Sequence, residues 1–320
     1  MSANIRRYGT LIGFLAILLF FWISIPETFM SARNWLNISQ QMSMLAVVAF
    51  TMTIVMVMGD FDLSVGSMAS LAGVVAAVLF SQGFPVAAGI AAALAVGMIG
   101  GLINGFLVSF VGILPFVATL GTLTVFSGAA FLVSGGKTIF GRDIPQAFSA
   151  FARGGIDLNI FGDTAIVLPY LTLLALVVFA VVWVVLEQTS FGRRLYAIGG
   201  NYEAARLAGV PVKPLRLTAF ALTGLGAAIG GLMYASRVAS ANPTQGSGLM
   251  LDAIAAVFLG MTMSEEGEPR VHATLFGVLI LGVLDNGLTQ MSVDSYVREI
   301  LVGAIIVAAV AFSSYSRQAR

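Results

Sequence analysis

Residues 192–214 read GRRLYAIGGNYEAARLAGVPVKP and form the most polar long segment of an otherwise apolar chain. The pattern at its centre is E-A-A-x-x-x-G, formed by Glu203, Ala204, Ala205 and Gly209. Asn201 precedes this pattern and is a suitable N-cap, because its short side chain can accept a hydrogen bond from the first helical turn. Gly209 and Pro211 are typical helix terminators. The segment therefore predicts a helix of about two turns.

The exposed face of this short helix is expected to be small and flat, because it would carry Ala204, Ala205 and Ala208. A flat face lets the groove of another protein close over it. Glu203 and Arg206 would then set the register of the contact.

The segment resembles the cytoplasmic coupling helix of ABC importer permeases, which docks into a separate ATP-binding subunit. The form GGNYEAARLAGV at 199–210 is similar to that of ribose and other simple-sugar permeases. The Ile-x-Leu-Pro that continues the motif in other importers is absent, which favours the sugar-type branch. The resemblance implies that the contact with the ATPase is made by Glu203, Ala204, Ala205, Arg206 and Gly209. From the loop alone, an amphipathic loop helix of any polytopic protein is the alternative.

Composition restricts the protein class. The chain has 320 residues, of which 58% are hydrophobic and 10% charged, whereas about 25% of a soluble protein is charged. The 36 glycines suit helix packing in lipid. The absence of cysteine excludes disulfides and thiol chemistry, and the single His272 leaves little room for a metal site or a catalytic triad. Basic residues are scattered over loops, so nucleic acid is not an expected partner.

The apolar runs predict an all-α polytopic protein with ten membrane-spanning helices. The first run follows Arg6 and Arg7 and is about 18 residues long without a cleavage site, so it is interpreted as a retained span and not a signal peptide. The predicted spans are 8–25, 42–58, 64–80, 85–111, 114–134, 164–186, 215–236, 251–263, 271–291 and 296–312.

Basic residues orient these spans, because cytoplasmic loops are richer in Lys and Arg. An even number of spans puts both termini on one side. With cytoplasmic termini, the dense basic cluster at 193–216 also lies inside, where an ATPase can reach it.

The chain is expected to be one permease domain, 1–320, containing an internal repeat. The repeat aligns Asn104-Gly105 with Asn286-Gly287, and each of these pairs closes a glycine-rich span. The two copies cover about 42–134 and 215–312 and follow an extra first helix. They begin five spans apart, an odd number, so the repeat is inverted and places the substrate path at the interface of its halves.

Polar residues inside apolar runs are candidates for the translocation path, because they are costly at membrane depth. GDFDLSVG at 59–66 resembles the GG-x-DLSVG signature of sugar permeases, and of its two acids Asp62 is the better candidate than Asp60. A solvated turn capped by Ser64 is the alternative. The other path candidates are Asn104, Asp252, Asp285 and Asn286. For these four, hydrogen bonding between helices is the favoured alternative.

Four further features have interpretations without a substrate role. Small residues at spacing four predict helix-packing faces, at Gly97, Gly101, Gly105, Gly226 and Gly230. GGKT at 135–138 lacks the first glycine of a phosphate-binding loop and is rejected as a nucleotide site. The acidic turn 263–272 is interpreted as a solvated loop, with an ATPase contact as the alternative. Arg298 and Glu299 are interpreted as an ion pair or as a lip for a partner protein.

Together the residues and the resemblance predict the permease subunit of an ABC importer for a pentose, hexose or polyol in the bacterial inner membrane. The resemblance implies a homodimer, a separate ATPase subunit that uses ATP, and a periplasmic substrate-binding protein; this chain binds no cofactor and is not an enzyme. Alternatives are a branched-chain amino acid or nucleoside permease, and an ion-driven secondary carrier that uses Asp285. An intramembrane protease is excluded, because G-x-G-D and H-E-x-x-H are absent.

Overall fold

Helices form most of the protein. A computed structural model describes residues 3–157, 167–264, 267–297, 299–304 and 307. The helices are α1 (Ala3–Ser24), α2 (Ala32–Met56), α3 (Val65–Ser81), α4 (Val86–Phe106), α5 (Pro115–Ser134), α6 (Gln146–Arg153), α7 (Tyr170–Trp183), α8 (Ser190–Gly200), α9 (Tyr202–Leu207), α10 (Val212–Val238), α11 (Leu249–Met263) and α12 (Val271–Gln290). A π-helical turn extends α4 over Leu107–Val111 and another extends α7 over Val184–Gln188.

Among the described residues, the strands form two small antiparallel pairs. Strand β1 (Ile139–Phe140) pairs with β4 (Ser240–Ala241), and β2 (Gly155–Asp157) pairs with β3 (Val167–Pro169). Both pairs lie in connections between helices. In the first pair, Ala241 is buried and Ile139 packs against the same apolar cluster as α3 and α10. The all-α prediction is confirmed.

Within the described residues, six helices are long and apolar enough to cross a membrane: α2, α4, α5, α7, α10 and α12. Three shorter helices, α1, α3 and α11, are also apolar. These nine correspond to the first nine predicted spans. Most of the tenth, 296–312, lies outside the described residues, so ten spans remain a prediction.

The predicted start of the second span was ten residues too late. Helix α2 begins at Ala32, with Ser31 as N-cap accepting a hydrogen bond from the backbone N–H of Asn34. The polar residues in the first turns of α2 are hydrogen-bonded within the protein. The Asn34 amide donates to the Phe29 carbonyl, and the Gln40 amide donates to the Ala152 carbonyl at 2.6 Å.

Helices α2 and α10 form the centre of the protein and pack against each other. In the apolar 18-residue stretch of α2, 72% of the residues are buried, and in that of α10 67% are buried. In the corresponding stretches of α4, α5 and α7, only 28% are buried. Large apolar side chains on these three helices are exposed in the structure. The outer helices therefore have the apolar surface that a lipid environment requires.

The glycine-rich faces pack helices closely, as predicted. A Cβ on Gly101 would lie 2.3 Å from the Phe220 carbonyl oxygen, so α4 touches the backbone of α10. A Cβ on Gly226 would lie 2.0 Å from the Thr51 hydroxyl oxygen, so α10 and α2 are also closely packed at this glycine. Small residues thus determine how near the central helices lie.

Candidate coupling segment and polar cavity

The predicted helix in 192–214 is present as α9. The Asn201 side-chain oxygen accepts a hydrogen bond from the Ala204 N–H at 2.9 Å, which makes Asn201 the N-cap. Gly209 has φ of +82°, a left-handed conformation that glycine adopts without strain. Between these ends, the Arg206 guanidinium donates to the Glu203 carboxylate at 2.8 Å, and both side chains are exposed. Capping and termination followed the sequence pattern.

The predicted composition of the exposed face of α9 is wrong at one position. Ala205 is 5% exposed and faces the protein, whereas Leu207 is 80% exposed. In a helix of six residues, one side must lie against the protein, and residue 205 is on that side. Beside the exposed Glu203 and Arg206, the outward face carries Tyr202, Ala204, Leu207 and Ala208, so it is more apolar than expected.

The turn between α2 and α3 is buried, so the interpretation as a solvated turn is wrong. Asp60 accepts two hydrogen bonds from the Arg216 guanidinium, from Nη2 at 2.6 Å and from Nε at 2.7 Å. The two residues are 156 positions apart in the chain. A bidentate pair of this kind is both strong and geometrically specific. It joins the start of α10 to the turn.

Asp62 lies in a different polar network. Its carboxylate accepts hydrogen bonds from the Ser64 hydroxyl at 2.6 Å and from the Ser64 N–H at 2.9 Å. The Asn104 amide donates to Ser64 Oγ at 2.7 Å, and the Thr122 hydroxyl donates to Asn104 Oδ1 at 2.6 Å. Ser64 precedes α3 but makes no capping hydrogen bond; its hydroxyl donates to Asp62 and accepts from the Asn104 amide. Two predicted path residues, Asp62 and Asn104, are thus brought together.

A third polar cluster connects α7, α8 and the segment before α12. The Tyr196 hydroxyl lies 3.1 Å from a Glu187 carboxylate oxygen and 3.1 Å from the Pro269 carbonyl oxygen, so these two acceptors share its one proton. Arg270 also donates to Glu187 at 3.1 Å. Burial, and then the charge of Glu187, raise the pKa of Tyr196 well above its usual range. Tyr196 therefore stays protonated and acts as a donor. Within the acidic turn, residues 265 and 266 lie outside the described residues.

A cavity of about 590 Å³ opens where α2, α10, α11 and α12 meet. Its volume is in the range of small-molecule sites. It brings together Asp252 and Asp285, two predicted path residues, with Glu299 beside them. Asn286 does not line the cavity. Its side-chain amide donates a hydrogen bond to Gln41, which does line the cavity. The predicted partner of Glu299, Arg298, lies outside the described residues.

Several polar residues of this cavity were missed by the sequence analysis: Gln41, Tyr234, Arg237, Asn242, Thr244 and Gln245. Gln41 and Arg237 adjoin the ends of the predicted spans 42–58 and 215–236, where polar residues are ordinary. No pattern in the sequence identifies these residues, because they come near Asp252 and Asp285 only when the chain folds. The five predicted path residues thus form two separate groups: Asp62 and Asn104, and Asp252, Asp285 and Asn286.

The sequence of the whole chain was compared with known proteins. It is 38% identical over 305 residues to the ribose import permease protein RbsC of Bacillus subtilis, covering 95% of this chain and 92% of the relative. It is 35% identical over 314 residues to the L-arabinose transport system permease protein AraH of Escherichia coli, with coverages of 98% and 92%. The galactose/methyl galactoside import permease protein MglC of Escherichia coli is 37% identical over 328 residues, with coverages of 97% and 94%.

Among solved structures, PsaBC from Streptococcus pneumoniae in complex with Fab matches at 15% identity with a TM-score of 0.46, which is too low to indicate a shared fold. The relatives above span nearly the full length of this chain, and residues 34–310 match a single permease family. The chain belongs to the family of permease components of the branched-chain amino acid transport system.

Proposed function

We propose that the chain is the membrane-spanning permease subunit of an ATP-driven importer of a simple sugar. The observation that carries this proposal is α9, a capped, exposed helix with an ion pair and an exposed leucine on a polar connection between membrane helices. Such a helix suits docking into a separate ATPase subunit. The named relatives import ribose, arabinose and galactose, which favours a pentose or hexose over a branched-chain amino acid or a nucleoside.

The cavity between α2, α10, α11 and α12 is proposed as part of the substrate path. Its lining is rich in carboxylate, amide and hydroxyl groups, which suit the many hydroxyls of a sugar. The permease contributes no chemistry; the ATPase drives a change between outward-facing and inward-facing states, and the substrate path follows that change. A periplasmic binding protein would deliver the sugar, and a second copy of the permease would complete the pathway in the inner membrane.

The inverted repeat is supported by the helix bounds. When Asn104 is aligned with Asn286, helices α2, α3 and α4 correspond to 214–238, 247–263 and 268–288, and these ranges agree with α10, α11 and α12 to within three residues. The contacts are also mirrored, because α10 packs on α3 and α4 while α2 packs on α11 and α12. Each half thus receives one central helix from the other. A path between two such halves suits alternating access.

Co-purification tests the proposal directly. The chain would be co-expressed with candidate ATPase subunits of sugar importers, and the wild type is expected to retain one of them. The double variant Glu203→Lys with Gly209→Trp should lose it, because it reverses the charge on α9 and fills its left-handed terminus. Arg153→Gln, an exposed change at the end of α6, is the matched control and should retain the ATPase.

The second candidate function is a secondary carrier. The observation that favours it is the position of Asp285 in a polar cavity, as expected of an ion-coupled acid. Sugar uptake into vesicles that hold only this chain and an ion gradient would establish the carrier and overturn the importer.

A further inference from the structure

We propose that Tyr202, Arg216 and Asp60 form a link through which movement of the coupling helix α9 reaches the buried turn between α2 and α3. This inference rests on the proposed function and assigns these three residues a positioning role in it. The link has two ends, one at α9 and one at the turn, and Arg216 lies between them.

The first end is the contact between Arg216 and Tyr202. Tyr202 is the first residue of α9, and the Arg216 guanidinium carbon lies 5.8 Å from the centre of its ring. A guanidinium at this distance is attracted to the face of an aromatic ring. Movement of the first turn of α9 therefore acts directly on Arg216.

The second end is the ion pair with Asp60. Both side chains are largely buried, with 16% of Arg216 and 7% of Asp60 exposed. A buried bidentate pair cannot loosen without leaving charges unsatisfied, so the two residues move together. The turn that carries Asp60 is itself constrained, because the Asp60 N–H donates to the Val55 carbonyl and Gly59 adopts a left-handed conformation.

The turn then passes the movement on to α3 and α4. Asp62 follows Asp60 by two residues and is bound to Ser64 and Asn104. Ser64 immediately precedes α3, and Asn104 belongs to α4. A displacement of Asp60 therefore shifts hydrogen-bonded groups on both helices.

A backbone contact joins the same two segments without any charge. Gly199, in the last turn of α8, lies so close to the end of α2 that a Cβ on it would be 2.0 Å from the Val57 carbonyl oxygen. The region before α9 thus lies directly on the turn. In contrast, Glu203 and Arg206 pair within α9 and stay exposed, so they are available to a partner protein. The charged pair on α9 is thus left to docking, whereas Tyr202, although exposed on the same helix, contacts Arg216.

The test separates ATPase binding from coupling. Permease variants would be purified with their ATPase subunit and placed in vesicles with the binding protein, and sugar transported per ATP hydrolysed would be measured. Arg216→Gln should still co-purify with the ATPase but lower this ratio at least about fivefold, the lower range of ordinary coupling effects. Arg216→Lys should lower it less, because lysine keeps the charge but not the bidentate geometry.

Two variants of Tyr202 test the contact between α9 and Arg216. Tyr202 is exposed, so its replacement is not expected to prevent folding. Tyr202→Ala removes the ring and should lower the transport ratio, whereas Tyr202→Phe keeps the ring and should retain the ratio of the wild type. Exchanging the charges, with Asp60→Arg and Arg216→Asp together, should recover part of the ratio that either single change loses. Arg153→Gln is the control for loss of an arginine elsewhere.

Two results would overturn the link while leaving the proposed function intact. One is a wild-type ratio in both Arg216→Gln and Tyr202→Ala. The other is an equal loss in Tyr202→Ala and Tyr202→Phe, which would exclude the ring contact. If Arg216→Gln fails to fold, the Tyr202 pair alone decides. Failure of the wild type to retain any ATPase would instead overturn the proposed function itself.

Discussion

The two acids of the turn between α2 and α3 show how a buried charge is satisfied in this protein. Asp60 forms an ion pair with Arg216, a residue far from it in the sequence. Asp62 accepts hydrogen bonds from the neutral donors Ser64 and Asn104. Buried polar groups with partners cost little, and those that lose a partner cost much. The hydrogen bonds around Asp62 are therefore expected to matter for stability.

Asn104→Leu should destabilise the permease. The substitution takes a donor from Asp62 and Ser64 and removes the acceptor of the Thr122 hydroxyl. An unsatisfied buried group costs about 1–3 kcal/mol, so the midpoint of thermal unfolding in detergent should fall by several degrees. Thr124→Val is the control, because Thr124 is exposed and its hydroxyl donates to the Leu120 carbonyl of its own helix. Equal midpoints for the two variants would contradict the role of the network.

Asp285→Asn should lower transport without loss of the ATPase subunit. Asp285 lines the polar cavity, far in sequence from α9. Hydrogen bonds to charged groups contribute about 1.5–3 kcal/mol, equivalent to roughly 10- to 100-fold in affinity. We expect sugar uptake at low concentration to fall by about tenfold, measured as initial rate with the binding protein present. Thr124→Val again serves as the control; unchanged uptake by Asp285→Asn would exclude this carboxylate from the path.

Residue-level prediction from sequence worked where the determinants are local. The cap at Asn201 and the terminator at Gly209 act within one or two turns, so neighbouring residues were sufficient to identify them. The pairing of Asp60 with Arg216 depends on the approach of a turn and a helix whose paired residues are 156 positions apart in the chain. No local pattern contains that information, and the turn was therefore given a solvated alternative.

At the scale of helices, glycine at the contact of α4 and α10 determines the spacing of the central bundle. Gly97 and Gly101 meet backbone atoms of Gly224 and Phe220, so these helices are in backbone contact. Their spacing of four residues made the packing face predictable. The start of α2 was less predictable, because its polar first turns are satisfied by contacts with other parts of the chain.

Gly101→Ala should separate α4 from α10. Its Cβ would lie 2.3 Å from the Phe220 carbonyl oxygen and 2.8 Å from the Ala221 Cα, and backbone atoms cannot rotate away. Overpacking of this kind costs about 1–3 kcal/mol, which should appear as a lower unfolding midpoint. Gly128→Ala on α5 is a matched control, since nothing lies within 4 Å of its Cβ position. A midpoint for Gly101→Ala as high as that of Gly128→Ala would show that the helices tolerate the added methyl group.

The whole molecule is organised by the exchange of α2 and α10 between two halves. Composition was sufficient to identify a membrane protein, and one short motif was sufficient to suggest its family. The exchange itself was not predictable, because the sparse identity between the two copies says nothing about which half each helix contacts. Only the packing of α10 on α3 and α4, and of α2 on α11 and α12, reveals it.

The proposed inverted orientation of the halves, together with the predicted cytoplasmic termini, predicts which positions face each side of the membrane. The chain has no cysteine, so single cysteines can be labelled without background. Four exposed positions serve: Ser81, Leu114, Ala208 and Ser295. In intact cells a membrane-impermeant maleimide should label Ser81→Cys and Ser295→Cys, whereas Leu114→Cys and Ala208→Cys should react only after permeabilisation.

The decisive comparison is Leu114→Cys with Ser295→Cys. When Asn104 is aligned with Asn286, position 114 falls on position 296, next to Ser295, and the two copies begin five spans apart. Opposite labelling follows from an odd number of spans between them. Labelling of both from the same side would mean that the halves are parallel, and a path between inverted halves would then be excluded. Reversed labelling at all four positions would keep the inversion but place α9 outside, beyond the reach of any cytoplasmic ATPase.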